Sequence, residues 1–353
     1  MSDITSKLFS HIIPVAGYKR GILCDLFKEK IYILPKDLIE LLKSNPILSL
    51  NGLLENYGIE NEQTIIEYLS FLIKRKLVFE VDENIFYNFP EICLEWDNPS
   101  TVTNAIIALN EKSELDHFNK ALYELQNLGC KAIGIILEKY SITNAFNFIF
   151  SINSEFNFII ELLLDYDYNI NENVIINTIE KFNNVVRVII CNCNYEKTFS
   201  SAKYHNLSYQ WTLKKISDMP CSFIDLSNFI INMEYFCEAK NYNSCLNRKI
   251  CIDIDGTVKN CIVMNKGFGN IRETSIEAIL KTSDICNFWA ITKDDIEICK
   301  DCEFRYICKD CRAFVTNPGD IKSQPSKCKY NPYIAKWDYE DGYYSVSKYT
   351  NKE

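Results

Sequence analysis

The sequence predicts an α/β protein built in three parts, and three observations carry that prediction. A hairpin-and-helix pattern fills residues 1–95, strand-like and helix-like runs alternate over residues 96–236, and nine of the sixteen cysteines fall between 245 and 328 in a third part spanning 237–345. At 353 residues the chain is long enough for two or three units, each with a core of its own.

In the first part, apolar and polar residues alternate from Gly17 to Leu34 through Ile22, Cys24, Leu26, Ile31 and Ile33, which is the period of a short β-hairpin. Pro35 stands where a first helical turn tolerates it, and Leu38, Ile39, Leu41 and Leu42 give an apolar helix face that stops at Asn45-Pro46. Ile65, Ile66, Leu69, Leu72 and Ile73 recur at helical spacing, followed by a β-rich segment from Lys76 to Val81 that ends at Asp82-Glu83-Asn84. The sum is a winged-helix-like domain. It resembles the peptide-recognition domain of many peptide-maturation enzymes, a relative of the small chaperone of pyrroloquinoline quinone biosynthesis. The resemblance implies a precursor peptide that adds a strand to the hairpin edge and rests apolar residues on a helix. An ordinary small α+β domain accounts for the same residues without a ligand.

In the second part, Val102 to Leu109 is a strand, and Leu115, Phe118, Leu122 and Leu125 mark a helix face that ends near Gly129. Further strands are expected at Lys131–Leu137, Phe158–Leu164, Val185–Cys191 and Phe223–Leu226, with helical stretches between several of them. That βαβ rhythm predicts a largely parallel sheet.

Composition narrows the function. A net charge of −9 offers no global attraction for nucleic acid or an anionic bilayer, and no apolar run reaches the roughly 18 residues of a membrane span. Neither a nucleic-acid nor a membrane partner is expected. The N-terminus, MSDITSKLFSHIIP, lacks the basic start, apolar core and small-residue cleavage site of a secretory signal, so a cytoplasmic location is expected. In a reducing compartment sixteen cysteines point to metal or redox chemistry rather than disulfides.

The third part spaces its cysteines as Cys245-x5-Cys251-x9-Cys261, then Cys286, then Cys299-x2-Cys302-x5-Cys308-x2-Cys311, and lastly Cys328. A C-x2-C step lets two thiolates from one tight loop reach the same metal or cluster, and thiolate is the soft ligand that iron-sulfur clusters and zinc select. Spacing alone leaves both open. The stretch resembles the SPASM domain, the auxiliary-cluster extension of radical S-adenosylmethionine peptide maturases. Cys245, ten residues, Gly256, four residues and Cys261 match one element of its seven-cysteine signature, and Asp253 to Cys261 is similar to its hairpin. Gly267-Phe-Gly269-Asn270-Ile271 resembles the turn that follows, and is equally a simple turn. The resemblance implies two 4Fe-4S clusters, one on Cys245, Cys251, Cys261 and Cys311 and the other on Cys299, Cys302, Cys308 and Cys328. The Cys308-x2-Cys311 step is one residue shorter than the family's, which leaves Cys286 as a possible substitute for Cys311. Two structural zinc sites are the alternative cofactors. Cysteines 24, 93, 130, 191, 193, 221 and 237 lie mostly in apolar contexts and read as small buried hydrophobes.

Other signatures are missing. Radical enzymes of this kind carry C-x3-C-x2-C after the first barrel strand, whereas Asn110 to Asp116 follows Leu109 here with no cysteine. After Ile133 to Leu137 the chain reads Glu138-Lys-Tyr-Ser141, with no Gly-Gly-Glu-Pro-like segment. The middle part therefore resembles an incomplete or decayed radical-enzyme α/β barrel, and cleavage of S-adenosylmethionine is not expected. His11, His117 and His205 have no ligand spacing, and no Walker-type or dinucleotide-type glycine pattern is present. The whole combination resembles the SPASM-domain peptide maturase of grasp-with-spasm systems, whose partners are an ATP-grasp peptide ligase and a short precursor peptide. A non-catalytic adaptor that presents the precursor, stapled by its metal centres, is the competing expectation. No catalytic residue is assignable.

Overall fold

A computed structural model describes residues 5–168, 170–218 and 224–346. The chain divides into two compact units, each assembled from separate stretches. The first comprises Met1–Trp96, Phe223–Ser244 and Ile291–Glu353, and the second Asp97–Ser222 and Cys245–Ala290. The cysteine-rich stretch is divided between them.

The first unit opens with β1 (Ser6–Leu8), β2 (Ile12–Ala16), β3 (Arg20–Asp25) and β4 (Lys30–Pro35), followed by α1 (Lys36–Ser44), α2 (Leu50–Tyr57), α3 (Glu62–Lys74) and β5 (Val78–Glu80). Strands β2, β3 and β4 form an antiparallel sheet in that order, and β1 pairs with β5. The expected hairpin is β3–β4, extended by a third strand. Asn45 stops α1 by turning its side-chain amide back onto the Leu41 carbonyl at 2.8 Å, and the Ser49 hydroxyl starts α2 by accepting from the Gly52 N–H.

Alternation along β3 gives the sheet two buried faces rather than one. Leu23 joins Ile12 and Leu34 against Leu38, Ile39 and Leu72 of the helices. Ile22 and Cys24, on the other face, join Val15 and Leu26 against Phe236, Phe304 and Trp337. The second face is covered by residues far along the chain, which a period-two pattern read locally cannot reveal.

The second unit carries β6 (Asn104–Leu109), α4 (Leu115–Asn127), β7 (Ala132–Leu137), α5 (Ile142–Glu155), β8 (Ile159–Asp165), α6 (Glu172–Ile179), β9 (Val185–Cys191), β10 (Lys197–Ser200), β11 (Ser208–Trp211), β12 (Lys249–Ile252) and β13 (Val258–Lys259). They make an eight-stranded sheet in the order β10-β11-β9-β8-β7-β6-β12-β13, parallel from β11 through β12 and antiparallel only at its two edges. Side-chain oxygens of Ser141 and Asn171 cap α5 and α6 by accepting from the Asn144 and Asn173 N–H groups. The largely parallel sheet expected from the βαβ rhythm is present.

The strand expected at Phe223–Leu226 is not. Phe223 lies outside the described residues, Ile224 makes a single bridge to Cys328, and Leu226–Asn228 is a short 3-10 turn. The β10–β11 hairpin was not anticipated, because its strands are only four residues each. Among the described residues no helix is long and apolar enough to cross a membrane.

Candidate metal centre

Four cysteines of the first unit, Cys299, Cys302, Cys308 and Cys328, line one small cavity together with Lys293, Ile298 and Tyr330. The Cys299–Asp301 segment is a single 3-10 turn, closed where the Cys302 N–H donates to the Cys299 carbonyl at 3.0 Å. That turn puts both thiols of the C-x2-C step on one cavity wall. Phe304 and Ile307, both buried in the hydrophobic core, anchor the loop between Cys302 and Cys308. Cys328 closes the set, with its N–H donating to the Pro325 carbonyl.

The residue that enters this turn is strained. Ile298 adopts φ 70° and ψ −46°, and the Cys299 N–H donates across it to the Glu297 carbonyl at 2.8 Å, which is a γ-turn of the rare positive-φ kind. A β-branched residue in that region costs about 1–3 kcal/mol and persists only where its surroundings enforce it. Ile298 is buried against the cavity, so its packing outweighs the backbone cost and fixes the direction in which Cys299 leaves the chain.

A buried charge network backs the sulfurs. Lys293 is 3% exposed, and its Nζ lies 3.9 Å from the Sγ atoms of both Cys299 and Cys308. The same Nζ is 3.6 Å from Asp310 Oδ1, and Asp310 is also held by Arg312 at 2.7 Å and by Asn243 at 2.7 Å. Arg312 spends a further nitrogen on the Ile321 and Ser323 carbonyls. Burial pushes the Cys299 thiol up to about 11 and Cys308 to about 12, while Lys293 pulls both back. Burial raises Cys302 and Cys328 as well. Burial alone works against the charge on Lys293, but the sulfurs and Asp310 overrule it and hold the ammonium more firmly than usual.

The site is fastened to the N-terminal sheet. Arg20 Nε donates to Glu303 Oε1 at 2.7 Å, the Tyr18 N–H donates to the Asp301 carbonyl at 2.7 Å, and Arg305 donates to the Ala16 carbonyl at 2.6 Å. Gly17 permits this approach: a Cβ there would stand 2.8 Å from both the Arg20 carbonyl oxygen and the Glu303 nitrogen. Glu303 is fully buried, and it also accepts from the Tyr330 hydroxyl at the cavity wall.

Of the other expected ligands, Cys245, Cys251 and Cys261 lie in the second unit and Cys311 in the first. Cys251 sits on β12 opposite Lys259, and its thiol is raised by burial and then by neighbouring Cys261. The β12–β13 hairpin turns at Gly256, whose φ of 83° suits glycine. The Gly269-Asn270-Ile271 turn docks on it, with the Val258 N–H donating to the Gly269 carbonyl and Asn270 Nδ2 to the Asp255 carbonyl. Cys286 is half-buried in the second unit.

Cysteines 24, 130, 191, 193 and 237 are buried as expected, but Cys93 is exposed, because the chain around it has no regular structure to cover it. Cys221 lies outside the described residues. His11 stands 3.7 Å from buried Asp25, and His117 stands 3.2 Å from Glu114 one helical turn away. Cavities of about 570 Å³ and about 490 Å³ lie along one sheet face of the second unit, and neither is lined by cysteine among the described residues.

Residues 244–303 match the SPASM family, an iron-sulfur cluster-binding domain. The chain therefore carries an iron-sulfur cluster-binding domain, with buried and half-buried cysteines in its C-terminal region. No curated protein matches the chain. The donor set fits such a group. Four cysteines of the first unit line one cavity, and thiolate is the soft ligand that such clusters take.

Reading the sequence alone missed Lys293, Ile298, Asp310, Arg312 and the Arg20–Glu303 pair. The Lys293-Asp294-Asp295 run has the look of a solvated charge cluster.

Proposed function

We propose that this chain holds two 4Fe-4S clusters and takes part in the post-translational maturation of a ribosomally made precursor peptide, together with an ATP-grasp peptide ligase. The observation that carries the reading is the gathering of Cys299, Cys302, Cys308 and Cys328 around one cavity in a chain that matches the SPASM domain. Those four residues would hold one cluster, and Cys245, Cys251, Cys261 and Cys311 the other. Clusters saturated with cysteine supply electron relay or structural support rather than an open iron.

Residues 1–95 are read as the winged-helix-like grip on the precursor. Strand β4 is an edge of the three-stranded sheet, and Tyr32 on that strand meets Phe71 of α3 at 6.4 Å between ring centroids. An extended peptide could add along β4 and rest its apolar side chains beside α3. Residues 96–236 are read as an incomplete or decayed radical-enzyme barrel, without the C-x3-C-x2-C motif needed to cleave S-adenosylmethionine. The location is taken as cytoplasmic.

One observation favours a second reading. Cys302 and Cys328 pack into the same core as Phe304, Tyr330 and Trp337, as a purely structural staple would. In that case the metal centre only supports an adaptor that presents the precursor to the ligase.

Metal and acid-labile sulfide content of anaerobically purified protein, with spectra before and after dithionite, tests the first reading. About eight iron and eight sulfide per chain with a bleachable band is the expected result. About two zinc without sulfide refutes the clusters and leaves the adaptor. Replacing Cys302 and Cys308 by alanine then separates the roles: loss of peptide modification with folding and ligase binding intact removes the adaptor.

A further inference from the structure

We infer that Lys293 is a positioning residue for the group held by Cys299, Cys302, Cys308 and Cys328, a built-in counter-cation that makes that group easier to reduce. The inference rests on the cluster reading above.

The Lys293 ammonium is placed by the local fold rather than by chance. The Thr292 N–H and hydroxyl both donate to Asp295, at 2.9 and 3.0 Å, which closes the Lys293–Asp295 turn. Two of its three charged side chains point to partners on the surface: Asp294 accepts from Tyr306 at 2.7 Å, and Asp295 lies 3.7 Å from Lys322. Only Lys293 turns inward, to 3% exposure and a position 3.9 Å from each of two sulfurs. A lysine so fully buried is rare unless something in the interior needs its charge.

Asp310 supplies only part of that need. Arg312 already grips Asp310 Oδ1 with Nε at 2.9 Å and Nη2 at 2.7 Å, and Asn243 occupies Oδ2. Lys293 stands outside hydrogen-bond distance of the carboxylate at 3.6 Å. The sulfurs are what remains to explain its position. Four thiolates make any cluster bound there negative, and each added electron makes it more so. A fixed positive charge in a low-dielectric pocket stabilises the more negative state more strongly. The step is a single electron passing from a reductant such as dithionite to the irons. No bond forms or breaks, and Lys293 keeps its proton throughout.

The test is a redox titration of the anaerobically purified full chain, followed by absorbance and electron paramagnetic resonance, for wild type, Lys293→Met and Lys293→Arg. Lys293→Met is expected to lower the reduced-to-oxidised ratio of one cluster about tenfold at a given potential, ~59 mV for a one-electron couple, and to leave the other cluster unmoved. Lys293→Arg keeps the charge and restores most of the shift. Lys293→Met protein with full iron and sulfide and unchanged potentials overturns the inference while leaving the cluster reading intact. Zinc without sulfide in the wild type overturns both. If Lys293→Met takes up only half the iron, Lys293→Arg decides. Full loading at the wild-type potential upholds the counter-cation, and equal failure assigns Lys293 to packing and overturns it.

Discussion

Replacing Asp310 by alanine puts the charge network to a quantitative test. The carboxylate is fully buried and is the only acidic partner of Lys293 and Arg312 among the ion pairs of the described residues. Its loss strands two buried cations, and also leaves the Asn243 amide donor without the acceptor it now reaches at 2.7 Å. Breaking a buried ion pair from one side costs about 3–5 kcal/mol, because the uncompensated charge cannot regain water. For a unit of this size each kcal/mol moves Tm by about 2–4 °C, so the expected drop is about 6–20 °C. Thermal melts followed by far-ultraviolet circular dichroism on anaerobic protein read it directly. The triple variant Asp310→Ala, Arg312→Met, Lys293→Met should recover much of the loss, since apolar residues of similar volume often replace a buried ion set without penalty. A drop below about 2 °C for Asp310→Ala alone would refute the reasoning, because it would mean that water reaches the network.

Two further outcomes follow from the same unit. Gly17→Ala drives a Cβ to 2.8 Å from two backbone atoms that cannot swing aside, so the turn must lift from Glu303. Overpacking of this kind costs about 1–3 kcal/mol, and a wild-type melting curve would show that the contact relaxes freely. Acid should weaken the fold through Asp295, whose carboxyl is held below its ordinary range by the Thr292 N–H and then, against the effect of burial, by the Thr292 hydroxyl and Lys322. A depressed folded pKa contributes stability that is present above the unfolded value, about 3.9, and is lost as pH falls through the folded value. Tm should therefore hold from pH 7 to about 5 and decline below about 4, with a shallower decline in Asp295→Asn. Identical slopes would remove this carboxylate from the account.

Some of this was legible in the amino-acid order. The C-x2-C step of Cys299 and Cys302 and the Gly256 turn before Cys261 are local features, fixed by short loops, and the parallel strands β6 to β9 announce themselves as apolar runs between helices. What escaped notice depends on long-range contact. The inward turn of Lys293 is decided by a capping bond at Thr292 and by sulfurs up to fifteen residues away. The positive φ of Ile298 contradicts its own propensity and survives only through burial. Cys24 was read rightly as a buried hydrophobe, yet nothing near it foretells that it faces the core shared with Phe304 and Trp337.

That shared core has a mechanical consequence. One face of β3 packs on the helices and the other on the loops that carry Cys302 and Cys328, so strand and metal centre have one hydrophobic core in common. On the cluster reading proposed above, removing the metal deletes the group that ties Cys299 to Cys328 across the chain. The loops then lose a constraint, and the face of β3 that rests on them loses its support, while the helix-packed face keeps its own. Amide exchange reports such partial opening strand by strand. Chelator-treated protein should therefore exchange faster at β3 and at the β2 residues bonded to it, with α1 and α3 slower to change. Exchange at Ile22 to Asp25 that is equal with and without metal would mean that the sheet stands alone, and that the centre does not support the surface on which a precursor would add.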